Sequence, residues 1–238
     1  MLRRLLIVIV VFLIAIVIAA DRIGAAVGAH VLAGKVQHFE GLPQRPSASI
    51  EGIPFLTQAF GGKYSNVKIT AHGVPVNGVS VTTLSANLHG VHLPFSKALH
   101  GSVSRVPVDH ASGTAFVSFA DANAYLAKHP VAGQHVQIAS GGSANTVNVT
   151  DRARAAGATV SLHGVGLVSV SANVVRVDVG QLSGSAGASH KKLPGHVSIS
   201  LPLQGLPFRL QLLSVKVSPS GLTGTGGATN IVLGSPVH

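Results

Sequence analysis

The chain has 238 residues, of which 46% are hydrophobic but only 4% aromatic and 10% charged; its formal charge is +10 and it has no cysteine. So apolar and charge-poor a composition excludes a disordered chain, and the lack of cysteine excludes disulfides, thiolate metal sites and a thiol nucleophile. Seven acidic residues (Asp21, Glu40, Glu51, Asp109, Asp121, Asp151 and Asp178) are a thin supply for paired-carboxylate or Mg²⁺ chemistry, and the basic balance points to nucleic acid, anionic lipid or anionic polysaccharide as partner.

Met1-Leu2-Arg3-Arg4 precedes an unbroken apolar run from Leu5 to Ala20, which Asp21-Arg22 closes. A basic start and a short apolar run form the pattern of an export signal. The run is slightly short for a spanning helix, which needs about 17 to 25 residues. Ile18-Ala19-Ala20 resembles a cleavage site only loosely, which favours an uncleaved signal anchor over a cleaved signal. A buried core helix is disfavoured, since the run has no polar face. Being the one long apolar run, it also argues against a polytopic membrane protein. Residues 1–22 are therefore expected to be a transmembrane signal anchor, and 23–238 a single domain. Arg3 and Arg4 would hold the N-terminus in the cytoplasm, giving a single-pass protein of the cell membrane with its domain on the extracytoplasmic side, or a secreted one if the signal is cleaved. Without those two arginines the +10 becomes +8 outside, facing anionic headgroups. Nucleic acid is not expected as a partner there.

Residues 21–40 look helical, with Ile23, Val27, Val31 and Val36 recurring at roughly helical spacing until Gly41-Leu42-Pro43 stops them. After Pro46 the pattern turns to strands. Ser47–Gly52 is short. Ser65–Val74 alternates. Val76–Leu93 changes phase between Val79/Val81 and Leu84/Ala86/Leu88, which predicts a β-bulge or a strand apolar on both faces. Val103–Phe119 reads as strand around a turn at Ala111-Ser112-Gly113, and Asp121–His129 as a short helix stopped before Pro130. Thr159–Val179 is almost continuously strand-like, with phase slips. Gly180–Gly195 reads as a flexible loop, and Ser140-Gly141-Gly142 and Thr225-Gly226-Gly227 as turns. Strands run from Val197 to Leu203, through Phe208 to Val217, and to Leu233 after a Pro219-Ser220-Gly221 turn. A sheet needs one apolar face for its core; a second needs another layer or a ligand to cover it.

Two short elements repeat. Pro-Phe occurs at Pro54-Phe55, Pro94-Phe95 and Pro207-Phe208; His-Gly-Val occurs at His72, His89 and His163. Both are compatible with a reused strand-end turn whose Phe plugs the core, and the three Phe equally with the lining of an apolar cavity. The thirteen His are scattered, without HExxH or neighbouring carboxylates, so no metal site is expected. Neither GxSxG nor a P-loop is present. A hydrolase or glycosyltransferase using Asp109 or Asp121 with a His has no nucleophile motif behind it, so no enzyme, catalytic residue or cofactor is expected. Lys63, Lys68, Lys191 and Lys192 are candidates for headgroup contact.

Residues 42–74, LPQRPSASIEGIPFLTQAFGGKYSNVKITAHGV, carry the most specific pattern. Gly52-Ile53-Pro54-Phe55-Leu56-Thr57-Gln58, followed by Gly62-Lys63-Tyr64 and Val67, strongly resembles the start of the LmeA-like phospholipid-binding family of actinobacterial envelope proteins. Leu88-His89-Gly90-Val91, Val106-Pro107-Val108-Asp109 with Gly113-Thr114-Ala115, Leu206-Pro207-Phe208 and Val215 to Leu222 continue the resemblance, over roughly residues 20–234; the Gly- and His-rich stretch near 180–196 departs from it. The resemblance implies an α+β fold of the tubular lipid-binding (TULIP) kind, with long curved antiparallel strands wrapped around a helix and an N-terminal transmembrane helix before them. It also implies a phospholipid partner, taken to be anionic, and a role in lipid or lipoglycan handling in the envelope. The wall for acyl chains is then expected at Phe55, Leu56, Phe60, Leu84, Leu88, Phe95, Leu99, Leu126, Phe208, Leu210 and Leu212, with Lys63, Tyr64 and Lys68 at the headgroup rim. Aliphatic walls suit such a ligand, since each buried CH₂ contributes about 0.8 kcal/mol without polar contacts. A structural or scaffolding β-protein of the envelope, with a dry core, is the alternative.

Overall fold

The computed structural model describes residues 2–94, 97, 105–131, 135–155, 158–186, 189–193 and 197–234. Phe95 and Leu99 lie outside the described residues, as do the side chains of Lys191 and Lys192.

The apolar run and the segment after it form one helix, α1 (Leu2–Phe39). No proline interrupts it, and its alanines and leucines offset its glycines. It ends as expected at Gly41, whose φ of +61° lets the Leu42 N–H donate to the Gln37 carbonyl at 2.9 Å. The chain divides into two compact units, the first being residues 1–71, 86–111 and 229–238, the second 72–85 and 112–228.

In the first unit α1 packs on β1 (Ser47–Glu51) and on α2 (Phe55–Gly61). β1 pairs antiparallel with β2 (Lys63–Val76), from Ser47 opposite Thr70 to Glu51 opposite Asn66. The face of α1 that packs is not the one the large residues predict. Ala25, Ala29, Ala33 and Val36 are buried, whereas Ile23, Val27 and Val31 are 65%, 59% and 47% exposed. Small side chains win the contact because they let the helix axis approach closely.

A six-stranded antiparallel sheet has the order β1-β2-β3-β4-β12-β11, with β3 Val79–His92, β4 Val106–Ser118, β11 Gln211–Val217 and β12 Gly221–Leu233. β2, β3, β4 and β12 contribute residues to both units. The phase slip expected in β3 is present: burial alternates through Val79 and Val81, shifts to Leu84, Ala86 and Leu88, then shifts again to Val91. The His-Gly-Val elements are not strand-end turns. Gly73 (φ +61°) and Gly90 (φ +64°) lie inside β2 and β3 where the buried phase changes, and the third element coincides with a register shift between Gly164 and Gly166. All three are mid-strand bulges, which bend a long strand without ending its pairing.

The second unit holds α3 (Phe119–Lys128) and a second antiparallel sheet. Its order is β10 (Val197–Pro202), β8 (Val174–Ala186), β7 (Ala158–Ser171), β6 (Thr146–Ala155) and β5 (Gln137–Ser140), with β9 (Ser189–Leu193) also paired to β8. Four expectations need correction. Thr159–Val179 is a hairpin, not one strand; Ala172 and Asn173 both have positive φ, as a two-residue turn of matching twist demands. Residues 111–113 do not turn. Gly113 sits in β4 because a Cβ there would meet the Ser85 carbonyl at 2.6 Å and Leu210 at 2.8 Å. Much of the expected 180–195 loop is strand, with Leu182 opposite Leu193 and Ala186 opposite Ser189. Gly226 and Gly227 pair with Leu212 and Gln211 rather than turning. At Gly113 and Gly226 glycine marks close backbone approach within a ladder. The turn at 140–142 and the helix before Pro130 are as expected.

Candidate functional site

The G-I-P-F-L-T-Q segment builds a clip that fixes α1. Phe55 is buried against Gly24 and Gly28: a Cβ on either glycine would lie 3.2 Å from its ring. The ring also tilts on Tyr64, with centroids 6.1 Å apart. Asp21 accepts the Leu56 N–H at 2.8 Å and the Arg22 guanidinium at 2.7 Å, so a buried carboxylate at the end of the apolar run caps the first turn of α2. Thr57 donates to the Pro54 carbonyl at 2.9 Å, and Gln58 accepts the Ser65 N–H at 2.9 Å. Gly62 (φ +64°) closes α2, and its carbonyl accepts the Leu93 N–H at 2.8 Å. The motif is thus architectural. It anchors residues 21–28 of α1 to the strands that follow.

Beside the clip, Asp109 accepts His92 Nε2–H at 2.9 Å and lies 3.7 Å from Lys63 Nζ. The His92 hydrogen bond, with the nearby charges of Lys63 and His110, holds the Asp109 carboxyl below its usual range against a smaller opposing effect of desolvation. Gly90 makes room for this cluster, since a Cβ there would overlap the Asp109 carboxylate. Lys63 and Lys68 are exposed. Tyr64, expected with them, is instead buried against Phe55, and burial raises its phenol pKa.

The expected wall divides between the units. In the first, Phe55 and Leu88 are buried, Leu56 is half-buried, and Phe60 stands 81% exposed rather than facing an interior. In the second, Leu84, Leu126, Phe208, Leu210 and Leu212 are all buried. Asn173 organises part of that group: its amide donates to the Leu210 carbonyl at 2.9 Å and accepts the Leu212 N–H at 2.7 Å. Asp121 accepts the hydroxyls of Thr82 and Ser118 at 2.5 and 2.8 Å, while Ser118 caps α3 by accepting the Asp121 N–H. The Ser118 N–H donates to Thr82 Oγ1 at 2.8 Å, so Thr82, Ser118 and Asp121 together tie the start of α3 to β3.

The exposed face of α1 was not among the expected site residues. Ile23, Val27 and Val31 form a second apolar stripe, on a helix whose packed side is already satisfied by alanines. Their four-residue spacing is legible in the sequence; that they stay uncovered is not. α1 is also long and apolar enough to cross a membrane.

No curated protein and no solved structure matches the chain. The family model of LmeA-like phospholipid-binding proteins matches residues 19–227, which takes in α2, the bulged strands and the first half of β12. An N-terminal apolar helix followed by curled antiparallel sheets is an α+β, TULIP-like arrangement, and with that match the chain belongs to the LmeA-like phospholipid-binding family.

Proposed function

We propose that the chain is a tethered phospholipid-binding protein of the cell envelope that holds acyl chains against aliphatic surface and serves membrane lipid or lipoglycan handling without catalysis. Residues 1–22 are the anchor and 23–238 the lipid-binding domain. Arg3 and Arg4 keep the N-terminus cytoplasmic and the domain outside; cleavage after the apolar run would release the same domain. The basic surface, including Lys63 and Lys68, favours anionic headgroups, and nucleic acid is not a partner.

One observation carries this reading: the second apolar face of α1, at Ile23, Val27 and Val31, on a helix already packed through its alanines. A helix in water needs one apolar face; a second is a surface for hydrocarbon. Leu56 adds to it from the clip. The buried members of the expected wall (Phe55, Leu84, Leu88, Leu126, Phe208, Leu210 and Leu212) meet an acyl chain where the side chains around them part. Their burial equally favours a second reading, a scaffolding protein with a dry core.

A phospholipid with a photoreactive acyl chain, crosslinked to the full chain in native membranes and mapped by peptide, separates the two. Lipid binding gives crosslinks at Val27, Val31 and the strands beyond the anchor. Crosslinks confined to the apolar run would overturn the proposal in favour of the scaffold.

A further inference from the structure

We propose that α2 and the turn before it form a wedge that inserts into the bilayer, with Ile53 and Phe60 entering the boundary between headgroups and acyl chains. The inference rests on the reading that residues 5–20 of α1 are embedded in that bilayer.

Three relationships converge on it. The first is placement. Leu56 is bonded to Asp21 at 2.8 Å, and the Gly52 carbonyl lies 3.4 Å from the Arg22 guanidinium. The two chain positions flanking Ile53-Pro54-Phe55 are therefore both held at the residues where the apolar run ends. The second is depth. Residues 5–20 as a helix span about 24 Å, against a hydrocarbon core of about 30 Å. The shortfall of about 6 Å corresponds to roughly four more residues, so a bilayer matched to this helix reaches residues 21–24. Gly24 is where the Phe55 ring touches α1. The third is chemistry. Ile53 and Phe60 are each 81% exposed, and Ile23 at the same level is 65% exposed. Arg22 and Lys63 have side chains 47% and 60% exposed; of the acids beside them, Asp21 is covered and paired with Arg22, Asp109 pairs with Lys63 at 3.7 Å, and Glu51 accepts the Asn66 amide at 2.6 Å. Exposed aliphatic and aromatic side chains beside basic ones suit an anionic membrane surface. The occupant is the bilayer, because the helix that carries the clip is itself the anchor.

The chain has no tryptophan, so Ile53→Trp and Phe60→Trp each install a single reporter at an exposed position. Phe39→Trp serves as the comparison, at the far end of α1 and about 25 Å along its axis from Arg22. The full-length variants are reconstituted in vesicles of phosphatidylcholine and phosphatidylglycerol with brominated acyl chains. The wedge predicts quenching at positions 53 and 60 roughly threefold stronger than at 39. Three results overturn it while leaving the anchor intact. These are co-flotation with unquenched, water-like emission at 53 and 60, equal quenching at 39, and blue-shifted emission that bromine does not quench but dilution reverses, which would identify a second copy as the cover. Failure of the chain to float with the vesicles overturns the anchor and the wedge together.

Discussion

Asp21 accepts the backbone N–H of Leu56 at 2.8 Å, joining two points 35 residues apart in the chain. One is the end of the apolar run, the other the first turn of α2, so a single carboxylate sets where the folded part begins relative to the anchor. The same carboxylate holds Arg22 at 2.7 Å. Asp21→Ala removes the cap and leaves the Leu56 N–H without an acceptor. Amides 56–61 are expected to exchange with deuterium about five- to tenfold faster, the usual consequence of losing a helix cap. Unchanged exchange across α2 would show that the clip is held by Phe55 packing alone.

Phe55 is the other half of the clip. It is buried against Gly24, Gly28 and Tyr64, and nothing smaller fills that space. Phe55→Ala is expected to destabilise the protein by about 3 kcal/mol, lowering the melting temperature in mild detergent by roughly 6 to 12 °C for a chain of this size. Ile53→Ser, two residues away but exposed, should stay within about 0.5 kcal/mol of the parent. Equal losses in the two variants would contradict the assignment of Phe55 as the packed residue and Ile53 as the surface one.

How far the sequence could be read depended on what each residue reports. The helix-then-strands start and most strands of the first sheet were legible because proline, glycine and period-two alternation act locally, whereas α2 and the strands at 137–140 and 146–155 are too short or too polar to stand out. The apolar positions of α1 were equally plain, but periodicity reports which residues are apolar, not which apolar face loses water. Ile23, Val27 and Val31 therefore looked like the packed stripe, whereas Ala25, Ala29 and Ala33 make the contact because small residues allow close approach. Gly73, Gly90, Gly113 and Gly226 looked like breaks, since glycine marks turns more often than ladder positions. Only cross-strand pairing shows that two are bulges and two accommodate close neighbours. The Lys63–Asp109–His92 cluster was out of reach for the same reason, because β-pairing assembles it from three separate segments.

That cluster has a pH signature. The Asp109 carboxyl titrates below 3.8 in the folded state, chiefly through its hydrogen bond from His92 and also through Lys63. A lowered carboxyl pKa stabilises the fold above the unfolded value of 3.8, and that contribution is lost as pH falls through the folded value. Asp109→Asn should therefore melt below the parent at pH 5, with the gap narrowing toward pH 3. A gap independent of pH would mean that the ionised form of Asp109 makes no special contribution.

Gly90 tests the same site sterically. At φ +64° it is in the left-handed region, and a side chain there would run into the Asp109 carboxylate. Gly90→Ala combines backbone strain with displacement of the cluster and is expected to cost about 2 to 3 kcal/mol. The Gly90→Ala/Asp109→Ala double variant relieves the overlap. It should therefore lose less stability than the two single changes summed, a coupling that thermal melts of the four proteins would reveal. Simple additivity would place the effect in the backbone alone.

In the second unit, Asn173 does two things at once. It takes a positive φ in the β7–β8 turn, and its side chain spans the Leu210 carbonyl and the Leu212 N–H at 2.9 and 2.7 Å. Asn173→Gly keeps the turn but removes the amide bridge, leaving a part-buried donor and acceptor unpaired at a cost of about 2 kcal/mol. Asn173→Ala also holds in the left-handed region a residue that lacks asparagine's tolerance of it, adding about 1 kcal/mol. The expected order of melting temperatures is parent, then Gly, then Ala. If Gly matched the parent, the turn conformation rather than the bridge would be what Asn173 supplies. Crosslinking of lipid to the strands carrying Leu210 and Leu212 should fall in both variants if those residues meet acyl chains, and stay unchanged if they form a dry core.

The exposed face of α1 admits the most direct test of lipid binding. Val27 and Val31 lie beyond the level that a matched bilayer reaches, so their contact with hydrocarbon would have to come from a phospholipid held by the domain rather than from the membrane itself. Val27→Ser with Val31→Ser removes four methyl groups from a surface that is already half solvated. The fold should therefore keep its melting temperature to within a few degrees. Lipid retention should fall by at least about tenfold, because each buried CH₂ contributes about 0.8 kcal/mol. The readout is crosslinking yield beyond residue 24, normalised to yield within the apolar run, which stays constant if the anchor is undisturbed. Undiminished yield would assign the lipid to another surface of the domain and leave Val27 and Val31 as incidental exposed valines.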